Sequence, residues 1–132
     1  MARAHLKPNG FTLVEIMVVV AVIALLATFA IPAILRAQLS ANDAVTKKIL
    51  STLSTATETY ALSNGNYPLS ESFLRNATPP YINQRYCGQR ISGYSYNCHF
   101  LIGSYSFVAT PDVVGKTGTT VFTMSTGGVL TP

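Results

Sequence analysis

Acidic side chains are what this chain has least of. Five Asp and Glu residues stand against nine Lys and Arg, and the five, Glu15, Asp43, Glu58, Glu71 and Asp112, lie far apart along the sequence. Acids so scattered offer no carboxylate pair for general acid–base work. In the carboxyl-terminal part only Asp112 is available, which leaves a hard-cation site there without charged oxygens. The two histidines are His5 and His99, and the two cysteines are Cys87 and Cys98. Ten residues separate the thiols where a redox motif has two, and Cys98-His99 lacks the paired spacing of a zinc site. No catalytic residue, metal ligand set or cofactor motif is assigned, and the expectation is that the protein is not an enzyme. At 132 residues there is room for one modest domain plus one further segment, not for a large enzyme core.

What is abundant is apolar surface near the start: 48% of residues are hydrophobic and 11% are charged. From Ile16 to Leu35 only Thr28 and Pro32 interrupt an apolar run. At about 1.5 Å per residue such a run spans a hydrocarbon core of roughly 30 Å. One acid, Glu15, heads the run, after the polar stretch Lys7-Pro8-Asn9-Gly10. An ordinary secretory signal has a shorter apolar core with its cleavage site after it; here the break in hydropathy precedes the core. Cationic flanks (Arg3, Lys7) stay on the cytoplasmic side, so the carboxyl-terminal domain faces outward. An uncleaved signal anchor would have the same topology but gives Glu15 no role.

Residues Lys7 to Leu35, KPNGFTLVEIMVVVAVIALLATFAIPAIL, resemble the prepilin signal of type IV pilins and type II secretion pseudopilins. The resemblance implies cleavage by a prepilin peptidase between Gly10 and Phe11, N-methylation of Phe11, and a role in assembly for Phe11 and Glu15. An ionised acid in a bilayer is costly and commonly has a partner; the resemblance makes that partner the amine of Phe11 on a neighbouring copy. On the residues alone, Glu15 also fits a solvated interfacial position favoured by the helix dipole. Pro32 matches the proline that interrupts the helix in many members, and it removes a donor and clashes with the Thr28 carbonyl. Removal of residues 1–10 takes Arg3 and Lys7 with it and lowers the net charge from +4 to +2. The basic balance is thus partly a property of the leader.

Beyond Arg36 the pattern becomes amphipathic. Val45, Ile49, Leu53, Ala56 and Tyr60 recur at helical steps, with Asp43, Thr46, Lys47 and Ser54 placed on other faces. Asn64-Gly65, with Pro68 beyond, ends the helix. Residues 64–90 read as loop, with a short helical turn over 70–76 capped by Ser70; Asn76-Ala77-Thr78 is read as an incidental glycosylation tripeptide. Period-two alternation over 91–101 and 105–110, then 119–125 and a short edge at 127–130, with Gly turns between, predicts three or four antiparallel strands. Cys87 and Cys98, as an even pair in an exported domain, read as a disulfide.

The expected architecture is α+β, a long amino-terminal helix packed on a small antiparallel sheet, as in pilins. Its parts are a prepilin leader (1–10), a transmembrane or filament-core helix (11–35), the amphipathic second half of the helix (36–64) and a loop-plus-sheet region (65–132). The expected function is that of a structural subunit of a type IV pilus-like filament. The resemblance implies a homo-oligomeric helical filament, a prepilin peptidase and an inner-membrane assembly platform as partners. It also implies an inner-membrane precursor that ends as an extracellular filament. Two alternatives stay open: a pseudopilin of a type II secretion system, and a minor pilin that binds DNA during uptake. For the second, Arg75, Arg85, Arg90 and Lys116 interleaved with Tyr81, Tyr86, Tyr94 and Tyr96 would form the nucleic-acid surface.

Overall fold

A computed structural model describes residues 10–132; positions 1–9 of the expected leader, with Arg3, His5 and Lys7, lie outside the described residues. The elements run α1 (Leu13–Asn64), α2 (Glu71–Arg75), β1 (Arg90–Ile91), β2 (Tyr94–Leu101), β3 (Ser104–Pro111), β4 (Phe122–Ser125) and β5 (Val129–Thr131). The chain divides into two compact units, one ending at Leu35 and one spanning Arg36–Pro132.

In the first unit the apolar residues of α1 have no covering partner. Phe11, Leu13, Ile16, Val20, Leu25 and Phe29 are all half or more exposed, and between Leu13 and Leu35 only Ala27 is partly covered rather than exposed. The helix continues through Pro32, whose missing N–H leaves the Thr28 carbonyl without its usual donor. The Thr28 hydroxyl turns back to Ala24 O at 3.1 Å.

The second unit is a helix on a sheet. Five antiparallel strands pair in the order β1-β2-β3-β4-β5, one strand beyond the three or four expected. The difference is local: Ser92 and Gly93, both at positive φ, break the run expected to start at Ile91 into a two-residue β1 and a turn before β2. β2 and β3 form a hairpin in register from Tyr94↔Pro111 to Leu101↔Ser104. That register puts Tyr94, Tyr96, Cys98 and Phe100 on the same face as Tyr105, Phe107 and Ala109. A one-residue slip would turn all of these toward water. Phe122 and Met124 of β4 extend the face by pairing with Ala109 and Phe107. Ile49, Leu50, Leu53 and Ala56 of α1 close the core with this face, and Leu74 of α2 and Ile82 seal one side.

Two expectations are corrected. Thr46 and Ser54, assigned to other faces of the helix, are 0% and 4% exposed, whereas Val45 of the predicted stripe is 42% exposed. The buried face includes Thr46, Ile49, Leu50, Leu53, Ser54 and Thr57, because the sheet side presents tyrosine hydroxyls that need polar partners inside. Ser70 occupies the position before α2, but its side chain makes no cap bond; its hydroxyl pairs with that of Ser72 at 2.6 Å.

Candidate functional site

The amino-terminal end of α1 carries the residues that the motif singles out. Gly10 is exposed, and a Cβ placed on it would meet nothing within 4 Å. Phe11 is 78% exposed. Thr12 stands just before the helix, and its hydroxyl accepts from the Glu15 amide at 3.3 Å, an N-cap that satisfies one of the free donors of the first turn. The Thr12-x-x-Glu15 spacing is that of a capping box, a helix-start signal already present in the sequence. Glu15 lies in the first turn and is exposed, where the helix dipole favours an anion.

In the second unit the polar groups converge on the helix–sheet seam. The Tyr94 hydroxyl donates to Asp43 Oδ1 at 2.7 Å, and the Thr119 hydroxyl and amide reach the same carboxylate. The Tyr96 hydroxyl donates to Thr46 Oγ1 at 3.0 Å. Further along, the Tyr105 hydroxyl donates to Glu58 Oε1 at 2.8 Å and lies 2.8 Å from Ser54 Oγ. Glu58 also accepts from the Tyr67 hydroxyl at 3.0 Å and the Gly127 amide at 2.9 Å. Asp43, Thr46, Ser54 and Glu58 therefore set the sheet's axial position on the helix through bonds that apolar packing alone would not specify. Burial pushes the Asp43 carboxyl up, but bonds from Thr119 and Tyr94 and the charge of Lys47 outweigh it and leave the pKa lowered. Glu58 is lowered in the same way by Tyr105, Gly127 and Tyr67 against its burial. Burial, then bonding to and the charge of Asp43, pushes Tyr94 up to about 12. Burial first, with Glu58 adding to it, takes Tyr105 to about 12.

Two glycines are demanded by this packing. A Cβ on Gly118 would overlap the hydroxyl and ring of Tyr94, and one on Gly93 (φ +74°) would lie 2.6 Å from Thr117 Cβ. The Cys87–Cys98 disulfide is formed and ties the segment before β1 to the middle of β2. Glu71, 8% exposed, supports the same segment: its Oε1 accepts from the amides of Tyr86 and Cys87.

The residues grouped above as a nucleic-acid surface are not brought together. Tyr94 and Tyr96 are 0% and 1% exposed and offer no face for stacking a base. Arg90 is paired with Asp112 at 3.2 Å, and Lys116 sits in the turn beside Thr117, whose carbonyl accepts from Asn42 at the other end of β2 from the hairpin tip. Arg75 and Arg85 border one cleft, and the other six are not among the residues that line it. Among the described residues no three His, Cys, Asp or Glu side chains converge on a point where a metal ion would sit.

Residues 6–31 match the family model described as the prokaryotic N-terminal methylation motif. Over 118 residues the chain is 33% identical to the type IV wide pilus major component PilA4 of Thermus thermophilus, an alignment that covers 86% of this chain and 90% of that protein. It is 32% identical over 88 residues to the type II secretion system core protein G of Vibrio cholerae, covering 67% of this chain and 60% of that protein. With the methylation motif, the exposed apolar helix and a helix-on-sheet domain on one chain, the protein belongs to the type IV pilin and pseudopilin family.

Proposed function

We propose that the chain is the structural subunit of a type IV pilus-like filament, cleaved between Gly10 and Phe11 and polymerised through its amino-terminal helix. The observation that carries this reading is the uncovered apolar surface of α1: from Leu13 to Leu35 no residue is buried, yet the segment has the length and composition to cross a membrane. Such a surface is stable in lipid before assembly and against the same segment of other copies afterwards. A prepilin peptidase removes residues 1–10 and methylates Phe11. In the precursor the segment 11–35 lies in the inner membrane, with the domain on the outer side. An assembly platform then moves the subunit into a fibre on the cell surface.

Glu15 supplies register in that fibre. A carboxylate among apolar helices costs several kcal/mol unless it is paired, and the new amine of Phe11 on an adjacent copy is the nearest cation the motif provides. The Thr12 cap supports this role, since it fixes the helix start beside the acid. Pro32, lacking an N–H, is the position where the helix loosens inside a fibre. A pilus is preferred to a secretion pseudopilus because the likeness to the pilus component spans 90% of that protein, and the likeness to the secretion protein 60%. Mass spectrometry of the subunit from native cells, with electron microscopy of the fibres, tests both points. The expected result is an amino terminus at methylated Phe11 in long surface filaments. Material that begins at Met1, or copies that never polymerise, would refute the proposal; short filaments confined to the periplasm would shift it to the secretion branch.

A further inference from the structure

The segment between β3 and β4 closes into a turn that holds two valines in water. Val113 and Val114 are 51% and 69% exposed, and Lys116 beside them is exposed as well. The turn is firmly tied. The Lys116 and Thr117 amides donate to Val113 O at 3.1 and 2.9 Å, and the Gly115 amide donates to Gly118 O at 2.8 Å, with Gly115 at φ 78°. The Asp112 amide donates to Gly93 O in the β1–β2 turn at 2.9 Å, and Thr117 O accepts from Asn42 Nδ2 on α1 at 2.8 Å. Backbone fixed in this way keeps both valines outside, where a turn facing only water ordinarily carries Asn, Asp, Ser or Gly.

We propose that this turn rests on an anionic phospholipid surface, that of the membrane which segment 11–35 crosses in the precursor; the inference rests on that proposed insertion. Asn42, to which the turn is tied, follows Leu35 by seven residues of α1, about 10 Å of helix. Headgroups extend roughly 5–8 Å beyond each face of the hydrocarbon core, so a turn tied at that level is within reach of them. Val113 and Val114 then bury apolar area among the glycerols and upper acyl chains, and the Lys116 ammonium meets lipid phosphate. Arg36, also exposed, adds a second cation. A second copy of the chain suits the turn less well, because its acids are engaged. Asp112 pairs with Arg90, Asp43 and Glu58 accept from Tyr94 and Tyr105, and Glu71 is buried under two backbone amides. The contact holds the domain against the membrane before assembly and breaks when the subunit is lifted into a fibre.

The chain has no tryptophan, so a single introduced indole reports its own depth. The full chain carrying Val114→Trp is reconstituted in vesicles of phosphatidylethanolamine and phosphatidylglycerol, with acyl chains brominated either near the glycerol or near the methyl end. The expected result is a blue-shifted emission quenched more by the shallow bromines than by the deep ones. Phe29→Trp, inside segment 11–35, should be quenched most by the deep bromines. Ile102→Trp, in the β2–β3 turn at a position 92% exposed, should be quenched by neither. Adding Lys116→Gln to Val114→Trp should lower the ratio of docked to lifted turn about fivefold, the worth of one cation at an anionic surface. Vesicles of phosphatidylcholine alone should weaken docking at least as much. Val113→Trp repeats the measurement if Val114→Trp loses the far-UV circular dichroism of the wild type. An unquenched Val114→Trp beside a quenched Phe29→Trp overturns the docking and leaves the membrane segment in place, whereas an unquenched Phe29→Trp removes both. Equal quenching of Ile102→Trp and Val114→Trp overturns the proposal, as does insensitivity to both Lys116→Gln and lipid charge. Shielding of Val114→Trp that disappears as protein is diluted in lipid overturns it as well, by assigning the turn to a second copy.

Discussion

Tyr105→Phe removes one oxygen from the busiest point of the helix–sheet seam. The Tyr105 side chain is 2% exposed, and its hydroxyl donates to Glu58 at 2.8 Å, meets Ser54 Oγ at 2.8 Å and accepts from the Gly128 amide at 3.3 Å. A hydrogen bond to a charged acceptor contributes about 1.5–3 kcal/mol. Glu58 is half-buried, so water replaces part of the loss, and the lower figure, about 1.5 kcal/mol, applies. For a domain of about 100 residues that is roughly 6–12 °C in Tm. The pH dependence identifies the mechanism. Although burial raises the Glu58 pKa, bonds from Tyr105, Gly127 and Tyr67 leave it lowered from 4.5. Its contribution is therefore full above the unfolded value near 4.5 and is lost as pH falls through the folded value. In Tyr105→Phe the depression shrinks, so less stability is lost on acidification and the deficit against wild type narrows. Tyr96→Phe is the control, because its partner Thr46 is neutral and its deficit should stay constant with pH. Urea unfolding of the full chain in nonionic detergent, followed by near-UV circular dichroism at pH 7 and pH 3.5, measures both. A Tyr105→Phe deficit under about 0.5 kcal/mol, or the same pH response in the two variants, would refute the reasoning.

Four further outcomes are expected. Because Tyr94 and Tyr105 are pushed up to about 12, folding should hold up to pH 10 and weaken as pH rises toward 12, a loss that thermal melts across that range would show. Gly118→Ala forces a methyl into the Tyr94 ring and should cost about 2–3 kcal/mol, measured by urea unfolding; an unchanged midpoint would contradict the packing. Replacing Cys87 and Cys98 together by Ser should cost about 3 kcal/mol by chain entropy, with the secondary structure at pH 7 retained by far-UV circular dichroism. Glu15→Ala should leave membrane insertion intact and cut incorporation into fibres severalfold; normal fibre yield on immunoblots of sheared cells would remove the register role.

Much of the architecture was legible because it rests on periodicity and punctuation. Asn64-Gly65 ends α1 where the sequence places the stop, and Gly65 adopts the positive φ (76°) that favours glycine. The hairpin also follows from the alternation of Tyr94, Tyr96, Cys98 and Phe100, with Gly103 at φ 81° in the turn. The two-residue β1 was not legible, since no period can be read from Arg90-Ile91, and Gly93 looks the same in a strand as in the turn it makes.

The seam was missed for a deeper reason. Apolar periodicity locates where water is excluded, and it treats every Thr, Ser, Asp and Glu as a marker of the wet side. That inference fails wherever the opposing surface carries its polar atoms at the ends of large rings. Tyr94, Tyr96 and Tyr105 bury their rings in the core and bring their hydroxyls to the helix. The helix must answer with Asp43, Thr46, Ser54 and Glu58, because an unpaired buried hydroxyl costs more than the bond itself contributes. The signal was present as a pairing between distant patterns: four polar residues at three- to eight-residue steps on α1, and tyrosines at period two on β2 with Tyr105 at the start of β3. Neither pattern carries the information alone. Their juxtaposition depends on a register set by long-range folding, which a one-dimensional scan does not contain. The cleft bordered by Arg75 and Arg85 was illegible on the same grounds, since its walls come from α2, the segment before β1 and the end of β2.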